Sequence, residues 1–109
     1  MKLRMVILLA VFAALPATVL AAGNAKEGKE AFAAHCQMCH GPNGEGNPAL
    51  AKMLHATIPP LGSKAVQSLT DAQMKEVIEK GKGKMQPIQG LSAADITNVI
   101  AFVRTLGKK

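Results

Sequence analysis

A chain of 109 residues has room for one small domain, and its net charge of +6 with three Phe, no Trp and no Tyr fits poorly with the basic, aromatic-bearing surface that nucleic acids require. A domain this small buries only a modest fraction of its surface, so it needs a staple beyond its apolar side chains.

Lys2 and Arg4 precede an apolar run from Met5 to Leu15, followed by Pro16 and a small-residue stretch through Ala21, Ala22 and Gly23. The run is short for a bilayer span and its flank offers the small residues of a processing site, so residues 1–21 are expected to be a cleaved signal peptide, with Ala22 as the alternative cleavage point and an uncleaved anchor as the competing reading. Residues 22–109 then form the mature domain. Without residues 1–21 the chain keeps 88 residues, 11 Lys and Arg against 7 Asp and Glu, and only Phe32 and Phe102 as aromatics.

The mature chain shows no internal repeat and no strand-like alternation; it reads as all-α, about four helices joined by Gly and Pro. The first is expected from Asn24, with Glu27 placed for a capping box, and its inward face would carry Gly28, Ala31, Phe32, His35, Cys36 and Cys39. After the loop Gly41-Pro42-Asn43-Gly44-Glu45-Gly46, Asn47 and Pro48 open a short helix to about His55. A third runs from the Thr70 cap, with Gln73 three residues on, to Gly81. The last starts at Ser92 with Asp95 in the box position, and carries Ile96, Val99, Ile100, Val103 and Leu106 on one face.

The stretch His35-Cys36-Gln37-Met38-Cys39-His40-Gly41 holds both cysteines. Thiols at i and i+3 leave the same side of a helix and can reach two points of one flat molecule. Cys-x-x-Cys-His is the attachment pattern of a c-type haem: Cys36 and Cys39 would form thioethers with its vinyl groups, and His40 would bind iron. Export agrees, and covalent haem would be the missing staple.

Three other readings compete. A Cys36 to Cys39 disulfide closes too short a loop to hold a domain. A thioredoxin-like pair would want a βαβ setting. A zinc site using both thiolates with His40 and His35 or His55 lacks a second ligand pair.

Function then turns on the sixth iron ligand. Of the mature methionines, Met38 lies within the motif, Met74 fits the buried stripe of the third helix, and Met53 sits on the short helix. Met85 stands apart in Gly81-Lys82-Gly83-Lys84-Met85-Gln86-Pro87, where the glycines permit unusual backbone angles and Pro87 stiffens the exit. It is the expected ligand, with bis-histidine ligation through His55 as the fallback and His35 the weaker candidate.

By these features the chain resembles the small soluble class I c-type cytochromes of bacteria over residues 23–107. Gly28 and Phe32 stand eight and four residues before Cys36, and Val99 and Phe102 lie on the last helix. The resemblance implies crossed terminal helices around one haem. It also implies that Pro59, in Pro59-Pro60-Leu61, presents its carbonyl to His40. Two departures are Gln86 between Met85 and Pro87, where proline commonly follows the methionine, and the missing Trp that some members place near a haem propionate.

The implied role is a periplasmic, monomeric one-electron carrier and no enzyme, meeting partners with acidic surfaces through Lys82 and Lys84. The alternatives are a five-coordinate or bis-histidine haem enzyme or sensor, an electron-transfer subunit of a larger oxidoreductase, and a non-haem binding module.

Overall fold

The computed structural model describes residues 23–108; the expected signal peptide, Ala22 and Lys109 lie outside them. Six helical segments follow in order: α1 (Ala25–His35), α2 (Gln37–His40), α3 (Pro48–Leu54), α4 (Lys64–Gln67), α5 (Asp71–Lys80) and α6 (Ala93–Leu106). Among the described residues there is no strand, only an isolated bridge between Lys82 and Met85. None of the described helices is long and apolar enough to cross a membrane.

Four of these are the expected helices, and their starts follow from side-chain caps that satisfy orphan N–H groups. Thr70 with Gln73 and Ser92 with Asp95 both form complete capping boxes. Asn47 Oδ1 accepts from Leu50 N–H at 3.2 Å, with Pro48 as the first residue of α3. That helix ends on His55, which takes the left-handed backbone at φ 51°.

The box expected between Asn24 and Glu27 is only half formed. Asn24 Oδ1 does accept from Glu27 N–H at 3.1 Å. The return bond goes elsewhere: Asn24 N–H donates to Asn98 Oδ1 at 2.8 Å, and Asn98 Nδ2 donates to Glu27 Oε2 at 3.1 Å. A side chain of α6 thus finishes the N-terminus of α1.

Two short segments were not expected. The first helix breaks at Cys36, whose φ of −121° departs from helical geometry, and resumes as α2. α4 is a single turn capped by Ser63, whose hydroxyl accepts from Val66 N–H at 3.4 Å.

The core is built on α6, which supplies Ile96, Val99, Ile100, Phe102, Val103 and Leu106; α1 adds Phe32, the break after it adds Cys36, and α5 adds Met74 and Ile78. Phe32 and Val99 are almost completely enclosed. Phe32 and Phe102 meet at a ring separation of 5.0 Å and an angle of 59°, a tilted pair worth about 0.5–1.5 kcal/mol beyond its buried area.

This meeting requires α1 and α6 to approach closely. At Gly28 they do, because a Cβ there would overlap the backbone carbonyl of Asn98, and a Cβ on Gly23 would overlap that of Thr97. The obstacle is backbone and cannot rotate away. Gly28→Ala is therefore expected to cost about 1–3 kcal/mol or more, read as a lower urea midpoint. Ser92→Ala, which removes one cap, should cost about 1 kcal/mol.

Candidate haem site

Cys36 and Cys39 stay one turn apart despite the break in the helix, because His40 N–H still reaches Cys36 O at 3.1 Å and Cys36 N–H reaches Phe32 O at 2.8 Å. Cys36 is buried in the core and Cys39 is half-buried; both are free thiols. Burial, with Cys39 adding to it, pushes the Cys36 thiol up to about 11. A redox-active attacking cysteine is displaced the other way, and among the described residues there is no strand to give a thioredoxin-like pair its βαβ setting. Among the described residues no cluster of three or more His, Cys, Asp or Glu is close enough to hold a metal ion.

His40 ends α2, and Gly41 at φ 80° turns the chain away. The imidazole lies 6.5 Å from the Phe32 ring, so the aromatic core reaches the motif directly. Burial lowers the pKa of His40, favouring the neutral ring that metal binding needs. Its Nδ1 is buried and has no hydrogen-bond partner.

An imidazole that binds metal through one nitrogen places the other against an acceptor. The resemblance implies the Pro59 carbonyl for that role. In this structure Pro59 and Pro60 are exposed and neither accepts a bond from His40. The segment is nonetheless held to the His40 loop: Leu61 N–H donates to Gly44 O at 2.8 Å, and Gly46 N–H to His40 O at 2.7 Å. Asn47 Nδ2 adds a bond to Met38 O at 3.0 Å. Two thiols one turn apart, a neutral imidazole beside them and its unpartnered ring nitrogen fit a c-type haem.

Met85 sits where the sequence placed it, in a glycine-rich connection, and the connection is a tight hairpin. Lys82 and Met85 exchange both backbone bonds at 2.9 Å, with Gly83 at φ 57° and Lys84 forming the turn. Gly81, at φ 78°, has no room for a side chain, because a Cβ would meet the Met85 carbonyl and lie 3.0 Å from the Pro87 ring. Ile88 N–H to Ile78 O, at 2.9 Å, ties the exit back to α5. Met85 is half-buried in this frame.

The other candidates separate from it. Met74 is buried core, whereas Met38 and Met53 are 80% and 71% exposed. His35 and His55 are both exposed. Two surface depressions flank the 41–48 loop, and neither is lined by Cys36, Cys39, His40 or Met85.

Two polar residues that matter to the frame escaped the sequence reading. Asn98 closes on α1, and Gln67 of α4 donates to both Leu61 O and Val103 O. Their only signal was a polar side chain amid apolar neighbours.

An all-α domain with a Cys-x-x-Cys-His turn set against crossed terminal helices defines a c-type cytochrome. The chain belongs to the family described as Cytochrome C oxidase, cbb3-type, subunit III, which it matches over residues 23–103. Membership brings a covalently bound haem c, and the single attachment motif accounts for one.

The chain is similar to the cbb3-type cytochrome c oxidase subunit FixP of Azorhizobium caulinodans, with 37% identity over 94 residues, covering 76% of this chain and 27% of that subunit. It thus spans little more than a quarter of its relative's length. Its fold is also like that of the KustC0563 c-type cytochrome, with a TM-score of 0.60 and 23% identity over 72% of this chain and 95% of the other.

The pH dependence of stability follows from His40. Its folded pKa lies below the ordinary value of about 6.5, so on acidification the unfolded chain takes up this proton first. Stability is expected to be level above about pH 6.5 and to fall below it until the folded ring titrates; protonation of an iron-bound ring would act in the same direction. A urea midpoint that rose between pH 7 and pH 5 would contradict a buried, neutral His40.

Proposed function

We propose that this chain is a periplasmic one-electron carrier in which Cys36 and Cys39 would hold haem c through thioethers and His40 and Met85 would be the protein ligands of its iron. The observation that carries this reading is the half-buried His40, next in sequence to the second thiol, whose Nδ1 is buried and unpartnered, in a family that binds haem covalently.

Bound haem c supplies a ferric–ferrous couple, and a His/Met pair places its potential above that of bis-histidine haem. The chain's own residues set the conditions. Cys36 and Cys39 fix the plane, and burial keeps His40 neutral and able to coordinate. Pro59, in the segment bonded to the His40 loop through Leu61 and Gly44, is our candidate acceptor for Nδ1.

The hairpin from Lys82 to Met85 restricts where the Met85 thioether can go. If His40 and Met85 both held the iron, no site would remain there for substrate, and the haem would supply outer-sphere electron transfer. Lys82 and Lys84 are exposed on either side of Gly83 beside Met85, where positive charge would speed encounter with an acidic partner and fade with salt.

A docked role has one specific support: the relative from Azorhizobium is a subunit of an oxidase, and this chain matches only 27% of it. A free monomeric shuttle and a subunit differ in the native mass of the exported protein in a bacterial extract. A monomer-sized species supports the shuttle; constant co-elution with a large oxidoreductase supports the subunit.

The ligand assignment is tested by mass and by visible spectra in both redox states. Expected are a mass exceeding the polypeptide by one haem, a low-spin reduced spectrum, and a weak far-red sulfur-to-iron band when oxidised. Met85→Ala should keep the mass and lose the band. A native protein that is high-spin and binds carbon monoxide without losing a protein ligand would overturn the assignment.

A further inference from the structure

The last carbonyls of a helix have no intrahelical donor and must be satisfied from outside. At the end of α6, Gly107 N–H turns to Arg104 O at 3.3 Å. The Val103 carbonyl is met instead by Gln67 Nε2 at 3.0 Å. That same nitrogen donates to Leu61 O at 2.9 Å. One amide nitrogen, with both hydrogens in use, joins the segment after Pro59-Pro60 to the far end of α6.

Gln67 is itself held on two sides. Arg104 Nη1 donates to its backbone carbonyl at 2.8 Å. Gly107 makes room for its side chain, since a Cβ there would lie 2.6 Å from Gln67 Cδ. The connection then continues toward the haem motif through Leu61 N–H to Gly44 O and Gly46 N–H to His40 O. Gly44 is equally confined, with a would-be Cβ 2.7 Å from Leu106 Cδ1 and 3.0 Å from Leu61 Cβ.

We propose that Gln67 is a positioning residue for His40: by tying Leu61 to α6 it holds the loop behind the motif, and so sets the direction from which the imidazole meets iron. The inference rests on His40 being the axial ligand. Without the amide, two carbonyls lose their donor and the Leu61 segment is free to shift along α6, carrying Gly44 and the loop with it.

The test compares holoproteins bearing Gln67→Met, which keeps length and removes both donors without adding charge, and Gln67→Asn, which keeps the amide on a shorter arm. Asn98→Ala serves as control, since it loosens α1 from α6 at the N-terminal end of α1 and touches none of these bonds. For each, the urea midpoint, the reduction potential and the hyperfine-shifted proton resonances of the His40 ring and haem methyls in the oxidised state are measured.

The Gln67 variants are expected to move the potential and the pattern of shifted resonances, whereas Asn98→Ala lowers the urea midpoint and leaves both at their native values. Should Gln67→Met fail to retain haem, Gln67→Asn decides. Gln67 variants with native potential and native resonances at a lowered urea midpoint would reduce Gln67 to a helix cap and overturn the proposal. A native protein without shifted imidazole resonances would instead remove His40 as ligand, and the positioning role with it.

Discussion

The close crossing of α1 over α6 at Gly28 is the constraint on which everything else depends. Because the glycine leaves its space to the carbonyl of Asn98, the helices come near enough for Phe32 to lie against Phe102 and Val99. The Phe32 ring also lies 6.5 Å from that of His40, so the core at the crossing adjoins the motif. Among the described residues the enclosed core is ten side chains, six of them on one helix, so there is little slack to absorb an error there.

Away from that crossing, polar ties add to the packing of Met74, Ile78 and the apolar residues around them. Arg104 binds Gln67 O, Leu69 O and Asp71 Oδ1 and so fastens the α4 to α5 junction onto α6. The loop after His40 is laced by backbone bonds, and the Met85 hairpin closes on itself. Such ties are individually modest, about 0.5–1.5 kcal/mol each, but they are directional. Direction is what a metal site needs. α3 lies outside this lacing, and its Met53 and Leu54 are exposed.

Much of this was legible in the sequence because it is local. The boxes at Thr70 and Ser92, the Asn47-Pro48 start and the apolar stripe of α6 depend on residues within one or two turns of each other, and the structure has them as expected. The motif at Cys36, Cys39 and His40 is equally local, and Gly81 and Gly83 marked the Met85 loop. What could not be seen involves distant partners. Asn98 reaches back to Asn24 and Glu27 and diverts half of a capping box, a contact no window of neighbours contains. The break at Cys36 is the same kind of effect, a backbone adjustment that seats one cysteine in the core while its neighbour stays half-buried. α4 is one turn long, too short for periodicity to show.

The bonds of Asn98 to Asn24 and Glu27 join positions 74 and 71 residues apart, nearly the whole length of the described domain. A ribosome delivers the chain N-terminal end first, so Phe32 has nothing to rest on until the last quarter has emerged. Topology alone thus makes the seating of Phe32 in the core a late event that waits for the C-terminal helix.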